Sequence, residues 1–240
     1  MADRAALVTG GSSGIGLAIA RALAEDGYGI TLSARRPDKL EQAAEQLRSD
    51  GFEVEAVPAN MAEEEEITAL ARAHRERFGR LDVLVNNAGL GIGGAVADTE
   101  TKKLDMQLDV NLRGVYLMAR ECIPLLKEAA AEHRKALMVN TASIAGKYGQ
   151  GWLAAYSATK FGVVGLTQAL HKELSSEGIQ CTAICPGFVA TAMTDWVQDS
   201  VSKDDMIQPE DIAAAVRYLL HTSPNCMVPE IQFIRPGDAL

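Results

Sequence analysis

The chain has 240 residues, 48% of them hydrophobic and 23% charged, which is enough for one α/β domain with a substantial core. Its net charge of −9 argues against nucleic acid or an anionic membrane as the main partner, and no apolar run reaches the ~18 residues of a membrane span. No secretion signal is visible, so we expect a cytoplasmic protein. No C-x-x-C pair or zinc-ligand pattern is present, so we expect no metal and buried, reduced thiols at Cys122, Cys181, Cys185 and Cys226.

Short apolar runs alternate with longer stretches of helical periodicity, which predicts repeated βαβ units. Several of the runs lack polar alternation, as strands buried on both faces do. The pattern predicts an α/β fold with a doubly wound parallel sheet of about seven strands and helices on both faces. The predicted strands are Ala5–Thr9, Gly29–Ser33, Glu53–Pro58, Val83–Asn86, Ala136–Asn140, Gln180–Cys185 and Ile231–Ile234.

Helices are predicted in the gaps between these strands. Proline is favoured at the first helical position, so two of the helices are expected to open at Pro37 and Pro209. The acidic run Glu63–Glu66 is interpreted as the first turn of a helix, where negative charge is favourable, rather than as an interaction tail. The other predicted helices cover Ile15–Glu25, much of Thr101–Ala130, and Tyr156–Leu174.

The first predicted strand ends in the glycine-rich stretch Thr9-Gly-Gly-Ser-Ser-Gly-Ile-Gly16. A strand, a glycine turn and then a helix is the layout that holds a dinucleotide pyrophosphate, although the spacing is not the usual G-x-G-x-x-G. Glycines permit close approach of the backbone, and the helix N-terminus offers unpaired N–H groups. The turn therefore predicts cofactor contacts at Gly10, Ser12, Ser13, Gly14, Ile15 and Gly16.

The second predicted strand ends in Leu32-Ser-Ala-Arg-Arg36. Many dinucleotide folds carry an acidic residue here to bind the ribose hydroxyls, and this chain has none. A guanidinium suits the extra 2′-phosphate of NADP in both charge and geometry. Arg35 and Arg36 therefore predict NADP(H) as the cofactor. The alternative is that both are solvated arginines before a helix, in which case NAD(H) is used.

Tyr156 and Lys160 are four residues apart, so a helix places the phenol and the ammonium on one face. With about 5 Å between the charges and an effective dielectric of about 20, Coulomb's law favours the phenolate by roughly 3 kcal/mol. That would lower the pKa of Tyr156 from about 10 to about 8, which suits a general acid or base. By itself, a Y-x-x-x-K spacing is more often a surface tyrosine beside a solvated lysine.

Taken together, the motifs resemble the classical short-chain dehydrogenases/reductases over roughly residues 4 to 220. The resemblance implies a single Rossmann-type domain over residues 1–240 that binds a nicotinamide cofactor. The motifs that carry it, in order, are Thr9-Gly-x-x-x-Gly-x-Gly16, Asn86-Asn-Ala-Gly89, Asn111, Ser143, Tyr156-x-x-x-Lys160 and Pro186-Gly187.

The resemblance also implies roles for individual residues. Tyr156 would be the catalytic acid/base, with Lys160 lowering its pKa and hydrogen-bonding the nicotinamide ribose. Ser143 would hold the substrate oxygen, and Asn111 would hold a water in a proton relay. Thr191 would contact the nicotinamide carboxamide through its hydroxyl and Val189 through its backbone. Further cofactor contacts are implied at Asn60, Met61, Asn86, Asn87, Ala88, Gly89, Pro186 and Gly187.

Two departures from the family pattern stand out. Asn60 replaces an aspartate that many members carry, and a modest effect on cofactor binding is expected because an amide can accept a similar hydrogen bond. The C-terminal stretch Val228–Asp238 lacks the glycine pair that commonly follows the last strand, which puts the subunit contact of that region, and a tetramer, in doubt.

The expected function is interconversion of a ketone or aldehyde with an alcohol, by an oxidoreductase acting on CH–OH groups. Ser143 and Tyr156 would polarise the carbonyl, and Tyr156 would supply the proton. Alternatives are an NAD(H)-dependent dehydrogenase of the same fold, a nucleotide-sugar epimerase, for which the chain is short, and an NADP-binding redox sensor without turnover.

A short substrate lid is predicted at about residues 188–206, after Pro186. Its apolar residues predict a mainly apolar pocket, and Lys147 is the sole candidate clamp for an anionic substrate. The expected walls are Phe188, Met193, Trp196, Val197, Ile92, Ile144, Tyr148, Trp152 and Leu153. A homodimer or a homotetramer is expected, because the long helices carry more apolar residues than one sheet face needs: Val115, Leu117, Met118, Phe161, Val164 and Leu166.

Overall fold

A computed structural model describes residues 2–198 and 200–238. Asp199, which belongs to the predicted lid, lies outside the described residues. The strands are β1 Arg4–Thr9, β2 Tyr28–Ala34, β3 Val54–Pro58, β4 Val83–Asn86, β5 Ala136–Thr141, β6 Ile179–Pro186 and β7 Glu230–Phe233. The helices are α1 Gly14–Glu25, α2 Pro37–Ser49, α3 Glu64–Phe78, α4 Thr101–Leu108, α5 Gly114–His133, α6 Ala154–Leu174 and α7 Pro209–His221.

The seven strands form one sheet in the order β3-β2-β1-β4-β5-β6-β7, and all neighbouring strands pair in parallel. The predicted doubly wound parallel sheet is therefore confirmed. The chain winds outward in one direction from β1 to β3 and in the other from β4 to β7. Ligands of such sheets bind where the winding direction changes, beyond the carboxyl ends of the strands, which here lies next to β1 and β4.

The sheet is covered on both faces, which explains why its strands are apolar without alternation. Apolar side chains of α1, α2 and α7 form one buried cluster against β1 and β2, including Ile19, Leu40 and Val216. Residues of α3, α5 and α6 form a second cluster on the other face, including Leu70 and Met118. No helix among residues 2–198 and 200–238 is both long and apolar enough to cross a membrane.

The long helix predicted over Thr101–Ala130 is interrupted, which corrects that prediction. α4 ends at Leu108, a π-helical turn covers Asp109–Arg113, and α5 follows from Gly114. A π-helical turn accommodates one extra residue and re-aims the side chains within it. The side chain of Asn111 is thereby directed into the protein, where the residue is fully buried.

Two predictions about burial are wrong in part. Cys226 is exposed, whereas Cys122, Cys181 and Cys185 are buried free thiols. Four of the six apolar residues assigned to a subunit contact pack inside the chain instead: Val115, Leu117, Met118 and Val164. Leu166 is half-buried and Phe161 is 46% exposed, so the homodimer stays a prediction that the other four no longer support.

Candidate functional site

The glycine turn between β1 and α1 has a backbone that only its glycines permit. Gly10 and Gly14 have φ values of 65° and 54°, in the left-handed region that favours glycine. A Cβ on Gly16 would collide with the carbonyl oxygen of Gly10, so this position must also stay small. Ser13 precedes α1 without capping it through its side chain, which leaves the first N–H groups of α1 available to an anion.

A cleft opens beside this turn at the carboxyl ends of β1, β2 and β3. It collects many of the residues predicted to bind the cofactor: Gly10, Ser12, Arg35, Arg36, Asn60, Met61, Ala88 and Gly89. It also collects five lining residues that the sequence prediction missed: Ser33, Ala34, Ala59, Leu90 and Val110. Ala34, Ala59 and Leu90 directly neighbour predicted residues and Ser33 lies two residues before Arg35, a signal that was available in the sequence. Val110 enters through the π-helical turn.

The cleft has unused hydrogen-bonding capacity that suits a phosphorylated nucleoside. Arg35 and Arg36 are exposed at its edge, and neither guanidinium pairs with an acidic group among the described residues. Ser33 is fully buried, yet its hydroxyl has no hydrogen-bond partner there. A buried hydroxyl without a partner costs free energy, so a polar ligand in the cleft would remove that cost.

The segment after β4 is fixed to β1 by Thr9. The Thr9 hydroxyl accepts hydrogen bonds from the backbone N–H groups of Asn87 at 3.0 Å and Ala88 at 3.1 Å. The Asn87 side chain in turn donates to the carbonyl oxygens of Thr9 and Gly10. The Asn86 side chain is buried and donates to Asn140 on β5 at 2.9 Å, and its place along the cofactor stays a prediction.

Asn111 holds the next residues of that segment. Its amide donates to the carbonyl oxygen of Leu90 at 2.8 Å, and its Oδ1 accepts from the Leu90 N–H at 2.8 Å. The same amide also donates to the hydroxyl of Thr159 at 3.2 Å. A Cβ on Gly89 would lie 3.4 Å from Asn111 Oδ1 and 3.5 Å from Lys160 Nζ, so these two polar groups border the same small space. The water predicted beside them stays a prediction.

Tyr156 and Lys160 share one face of α6, as their spacing predicts. Lys160 Nζ lies 5.6 Å from the centroid of the Tyr156 ring and donates to the carbonyl oxygen of Thr141 at 2.8 Å. Lys160 is only 4% exposed, whereas Tyr156 is half-buried. A Cβ on Gly91 would lie 3.6 Å from the Tyr156 ring, so the glycine segment after β4 passes directly beside it.

The expected electrostatics of this pair are wrong in direction. Burial raises the pKa of Tyr156 above its usual 10.0, and a hydrogen bond with Ser143 offsets this only in part. Burial also lowers the pKa of Lys160 from 10.5 to about 8. The Coulomb argument counted the attraction between the two charges but not the loss of hydration that each suffers. The tyrosine is therefore a neutral phenol at neutral pH.

Ser143 comes from the loop after β5 and lies next to Tyr156. Its hydroxyl accepts from the Ala145 N–H at 3.1 Å and is 3.4 Å from the carbonyl oxygen of Pro186. The Ser143 side chain is close enough to Tyr156 to lower the pKa of the phenol in part, so two hydroxyl groups lie near one point. Such a pair can contact one carbonyl oxygen of a substrate from two directions.

The segment after β6 closes the site above α1. A Cβ on Gly14 would lie 2.8 Å from the Thr191 methyl group, so Thr191 sits directly over the glycine turn. The Thr191 side chain caps the 3₁₀ turn Ala192–Val197 together with Thr194. Val189 is buried and bridges to Ile207, and the Gly187 N–H donates to Phe233 of β7 at 2.9 Å.

Lys147, the candidate clamp for an anionic substrate, is paired within the protein. Its ammonium forms an ion pair with Glu230 of β7 at 2.8 Å, and both side chains are half-buried. The hydrogen bond with Glu230 raises the pKa of Lys147, so the lysine stays charged and committed to that partner. Elsewhere among residues 2–198 and 200–238, no cluster of three His, Cys, Asp or Glu side chains is placed to hold a metal ion.

Comparison with known proteins gives a consistent result. The family model described as short chain dehydrogenase matches residues 4–201. An uncharacterized oxidoreductase of Staphylococcus aureus is 37% identical over 236 residues, covering 98% of each chain. A variant of actinorhodin polyketide ketoreductase solved with NADPH has a TM-score of 0.88 at 35% identity, covering 97% of each chain. An alcohol dehydrogenase from the archaeon Thermococcus sibiricus, complexed with 5-hydroxy-NADP, has a TM-score of 0.89 at 29% identity, covering 99% of this chain and 98% of that one.

Proposed function

The chain belongs to the short-chain dehydrogenase family of oxidoreductases, and from that premise we propose that it reduces a ketone or aldehyde to an alcohol with NADPH. The observation that carries the proposal is the meeting of Tyr156, Lys160 and Ser143 beside a cleft lined by Arg35 and Arg36. Tyr156 can donate a proton, Ser143 can polarise the substrate oxygen, and the cleft can hold the cofactor. We treat residues 1–240 as one catalytic unit.

The cofactor is NADP(H), held between the glycine turn and the segment after β6. The N–H groups at the start of α1 would hold the pyrophosphate, and Arg35 and Arg36 would bind the 2′-phosphate. Two similar solved structures carry NADPH or an NADP derivative, in agreement with this choice. When bound, the cofactor supplies the hydride that the carbonyl carbon accepts. Asn60 takes the place of the usual acidic contact, and Thr191 covers the glycine turn.

The protein's own residues handle the oxygen and the proton. Ser143 and Tyr156 donate hydrogen bonds to the carbonyl oxygen, which draws electron density away from the carbon. As negative charge develops on the oxygen, the Tyr156 proton transfers to it. Lys160 lies 5.6 Å from the ring centroid, and its positive charge stabilises the phenolate that remains.

Reduction is favoured at neutral pH by the protonation states of these groups. Tyr156 carries its proton at neutral pH, as an acid in the reduction direction must; its raised pKa makes it a weak acid, so the transfer depends on Lys160 stabilising the phenolate. Lys160, with a pKa of about 8, is mostly charged at neutral pH. Oxidation of an alcohol needs the phenolate as base, so that direction requires more alkaline conditions.

Two alternative functions are weaker. An NAD(H)-dependent dehydrogenase would leave Arg35 and Arg36 unexplained at the edge of the cleft. A redox sensor without turnover would not need a buried lysine beside a hydroxyl pair. Burying Lys160 opposes its charged form, and groups with pKa values perturbed in this way cluster at catalytic sites.

The replacement Tyr156→Phe tests the proton-donor role. Removing the hydroxyl leaves the ring and the cleft in place, so we expect kcat to fall by about 10²- to 10⁴-fold while the Kd for NADPH stays within about twofold. Ketone-dependent NADPH consumption and fluorescence titration of NADPH measure the two quantities. Turnover close to that of the wild type would contradict the role of Tyr156.

A further inference from the structure

Both tryptophans of the chain, Trp152 and Trp196, stand at the entrance to the proposed site. Trp152 precedes α6 and is 59% exposed, and Trp196 lies in the 3₁₀ turn after β6 and is 57% exposed. Their ring centroids are 5.9 Å apart, and Phe188 meets Trp196 edge-on at 6.2 Å. We call these three side chains the aromatic rim. Large aromatic surfaces left open to water beside a site indicate contact with a ligand.

The backbone holds Trp152 in an unfavourable conformation. Its φ is 65°, a value that a bulky residue rarely adopts. The other described non-glycine residue with positive φ, Arg134, simply ends α5. The Trp152 carbonyl accepts from the Gly94 N–H at 2.8 Å, and the indole lies directly on Gly93, where a Cβ would collide with it. Strain that is retained in this way is typical of functional positions.

The rim lies within reach of the proposed catalytic groups. Gly91 lies beside the Tyr156 ring and Gly93 lies beside the Trp152 ring. The Cα atoms of these two glycines are at most about 7 Å apart. Phe188 follows two residues after Pro186, whose carbonyl oxygen lies 3.4 Å from the Ser143 hydroxyl. A carbonyl held by Ser143 and Tyr156 would therefore place the rest of its molecule against the rim.

The charges around the rim are already neutralised. Lys147 pairs with Glu230 at 2.8 Å, and Lys203 pairs with Asp195 at 2.7 Å. Arg235 pairs with Asp238 while its guanidinium lies 5.8 Å from the Phe188 ring centroid. Releasing any of these cations to bind an anionic substrate would leave a carboxylate without its partner. The surroundings therefore favour a neutral ligand.

We propose that the aromatic rim stacks on a planar ring of the substrate, so that the substrate class is a neutral ketone joined to an aromatic ring. This inference rests on the proposed function. Trp152 supplies a fixed face, because Gly93 and the backbone position it in advance. Trp196, whose ring centroid lies 5.9 Å from that of Trp152, and Phe188 extend this aromatic surface from the segment after β6.

The first test compares two ketones that differ by a fused benzene ring. With NADPH at saturation, we expect kcat/KM for 1-tetralone to exceed that for cyclohexanone by at least about tenfold in the wild type. Trp152→Gly removes the indole while accepting the positive φ, and Trp196→Ala removes the facing ring. Each should lower kcat/KM for 1-tetralone about tenfold, mainly through KM, and change the value for cyclohexanone less than about threefold.

Two further variants distinguish the loss of a contact with the substrate ring from a general effect on folding. Trp152→Phe keeps a ring at the strained position and should restore most of the preference for 1-tetralone. Tyr218→Ala removes an equally exposed aromatic residue, 56% exposed on α7 and outside the rim, and should leave both ketones unaffected. Equal losses for 1-tetralone and cyclohexanone in Trp152→Gly and in Trp196→Ala would overturn the proposal.

Binding can be measured without turnover, because the only tryptophans in the chain belong to the rim. In Trp196→Phe all tryptophan fluorescence comes from Trp152, and in Trp152→Phe it comes from Trp196. We expect saturable quenching by 1-tetralone in both variants and none by cyclohexanone at the same concentrations. Quenching that rises linearly, as it does for free N-acetyltryptophanamide, would show that the rim does not bind the ring.

These measurements also separate the inference from the proposed function. If no ketone is reduced but quenching saturates, the rim binds aromatic ketones and the proposed reaction is wrong. If cyclohexanone is reduced at least as well as 1-tetralone, the reaction stands and the rim proposal is overturned. A preference for acetoacetyl-CoA over both ketones would also overturn it, because that substrate is anionic and has no ring beside its carbonyl.

Discussion

The cofactor cleft and the substrate entrance are built in different ways. The cleft is formed mainly by short segments that follow β1, β2, β3 and β4, and its shape depends on backbone conformations such as that of Gly10. The entrance combines side chains from the loop after β5, from α6 and from the segment after β6. A required backbone conformation can be recognised in a short sequence motif, whereas side chains from distant segments meet only after folding. The first kind of site is therefore the easier to predict.

The positive charges of the two regions also differ in their exposure to solvent. Arg35 and Arg36 remain exposed and keep their hydration until a ligand binds. Lys160 is 4% exposed and has already lost its hydration, with the Thr141 carbonyl as its hydrogen-bond acceptor. An exposed cation adds affinity without burdening the fold. A buried cation destabilises the fold, so a buried lysine that is still mostly charged near neutral pH needs a functional reason.

The largest expected effect, in both activity and stability, is that of Lys160→Met. Removing the ammonium should lower kcat at least about 100-fold, because the Tyr156 phenolate loses its nearby positive charge. The same change should raise the free energy of unfolding at pH 7 by up to about 3 kcal/mol, because a desolvated charge is removed from the interior. Steady-state kinetics and urea denaturation give the two numbers.

The pH dependence of stability sharpens this test. Since the pKa of Lys160 is about 8 in the folded protein and 10.5 when unfolded, the unfolded chain binds more protons between these values. The contribution of this residue therefore makes the wild type more stable as pH rises from about 8 to 10.5. In Lys160→Met that rise should be absent, so its advantage should shrink over the same range. A constant stability difference would show that Lys160 is not desolvated.

A smaller effect is expected on the cofactor side from Arg35→Ala. Loss of one guanidinium from the edge of the cleft should raise the Kd for NADP⁺ about tenfold and leave the Kd for NAD⁺ within about twofold, because only NADP⁺ carries the 2′-phosphate. Isothermal titration calorimetry measures both constants. Lys39→Ala is the matched control, since Lys39 is an exposed cation in the first turn of α2 that does not line the cleft.

If Arg35→Ala and Lys39→Ala weaken NADP⁺ to the same extent, the effect is one of overall charge and not of a phosphate site. Arg36 also lines the cleft, so the double variant with Arg36→Ala measures how the two guanidinium groups share the phosphate. Equal effects of Arg35→Ala and Lys39→Ala would also weaken the contrast between the two regions, because the cleft would then have no specific phosphate-binding cation.

The sequence predicted all seven strands and their parallel arrangement, because short apolar runs alternate with longer stretches of helical periodicity. It did not predict the π-helical turn at Asn111, which depends on contacts with Leu90 and Met61 rather than on local propensity. The pairing of Lys147 with Glu230 was missed because 83 residues separate them. The protonation of Tyr156 was wrong because burial cannot be measured from spacing.

The smallest expected effect concerns Ser33, whose buried hydroxyl has no partner within the described chain. In Ser33→Ala the protein without cofactor should gain about 1 kcal/mol of stability, because an unpaired polar group leaves the interior. The Kd for NADP⁺ should rise about fivefold if the hydroxyl binds the nucleoside in the cleft. Thermal unfolding with and without NADP⁺ measures both effects in one experiment.

Thr31 provides the control for Ser33, because it lies two residues earlier on β2 and its side chain points to the same face. Its hydroxyl already has a partner, His74 Nδ1 at 2.7 Å, and it does not line the cleft. Thr31→Val should therefore lower stability while leaving NADP⁺ binding unchanged, the opposite pattern to Ser33→Ala. If Ser33→Ala instead lost stability without changing the Kd, the hydroxyl would belong to the core, and the cleft would bind its ligand through backbone and guanidinium groups alone.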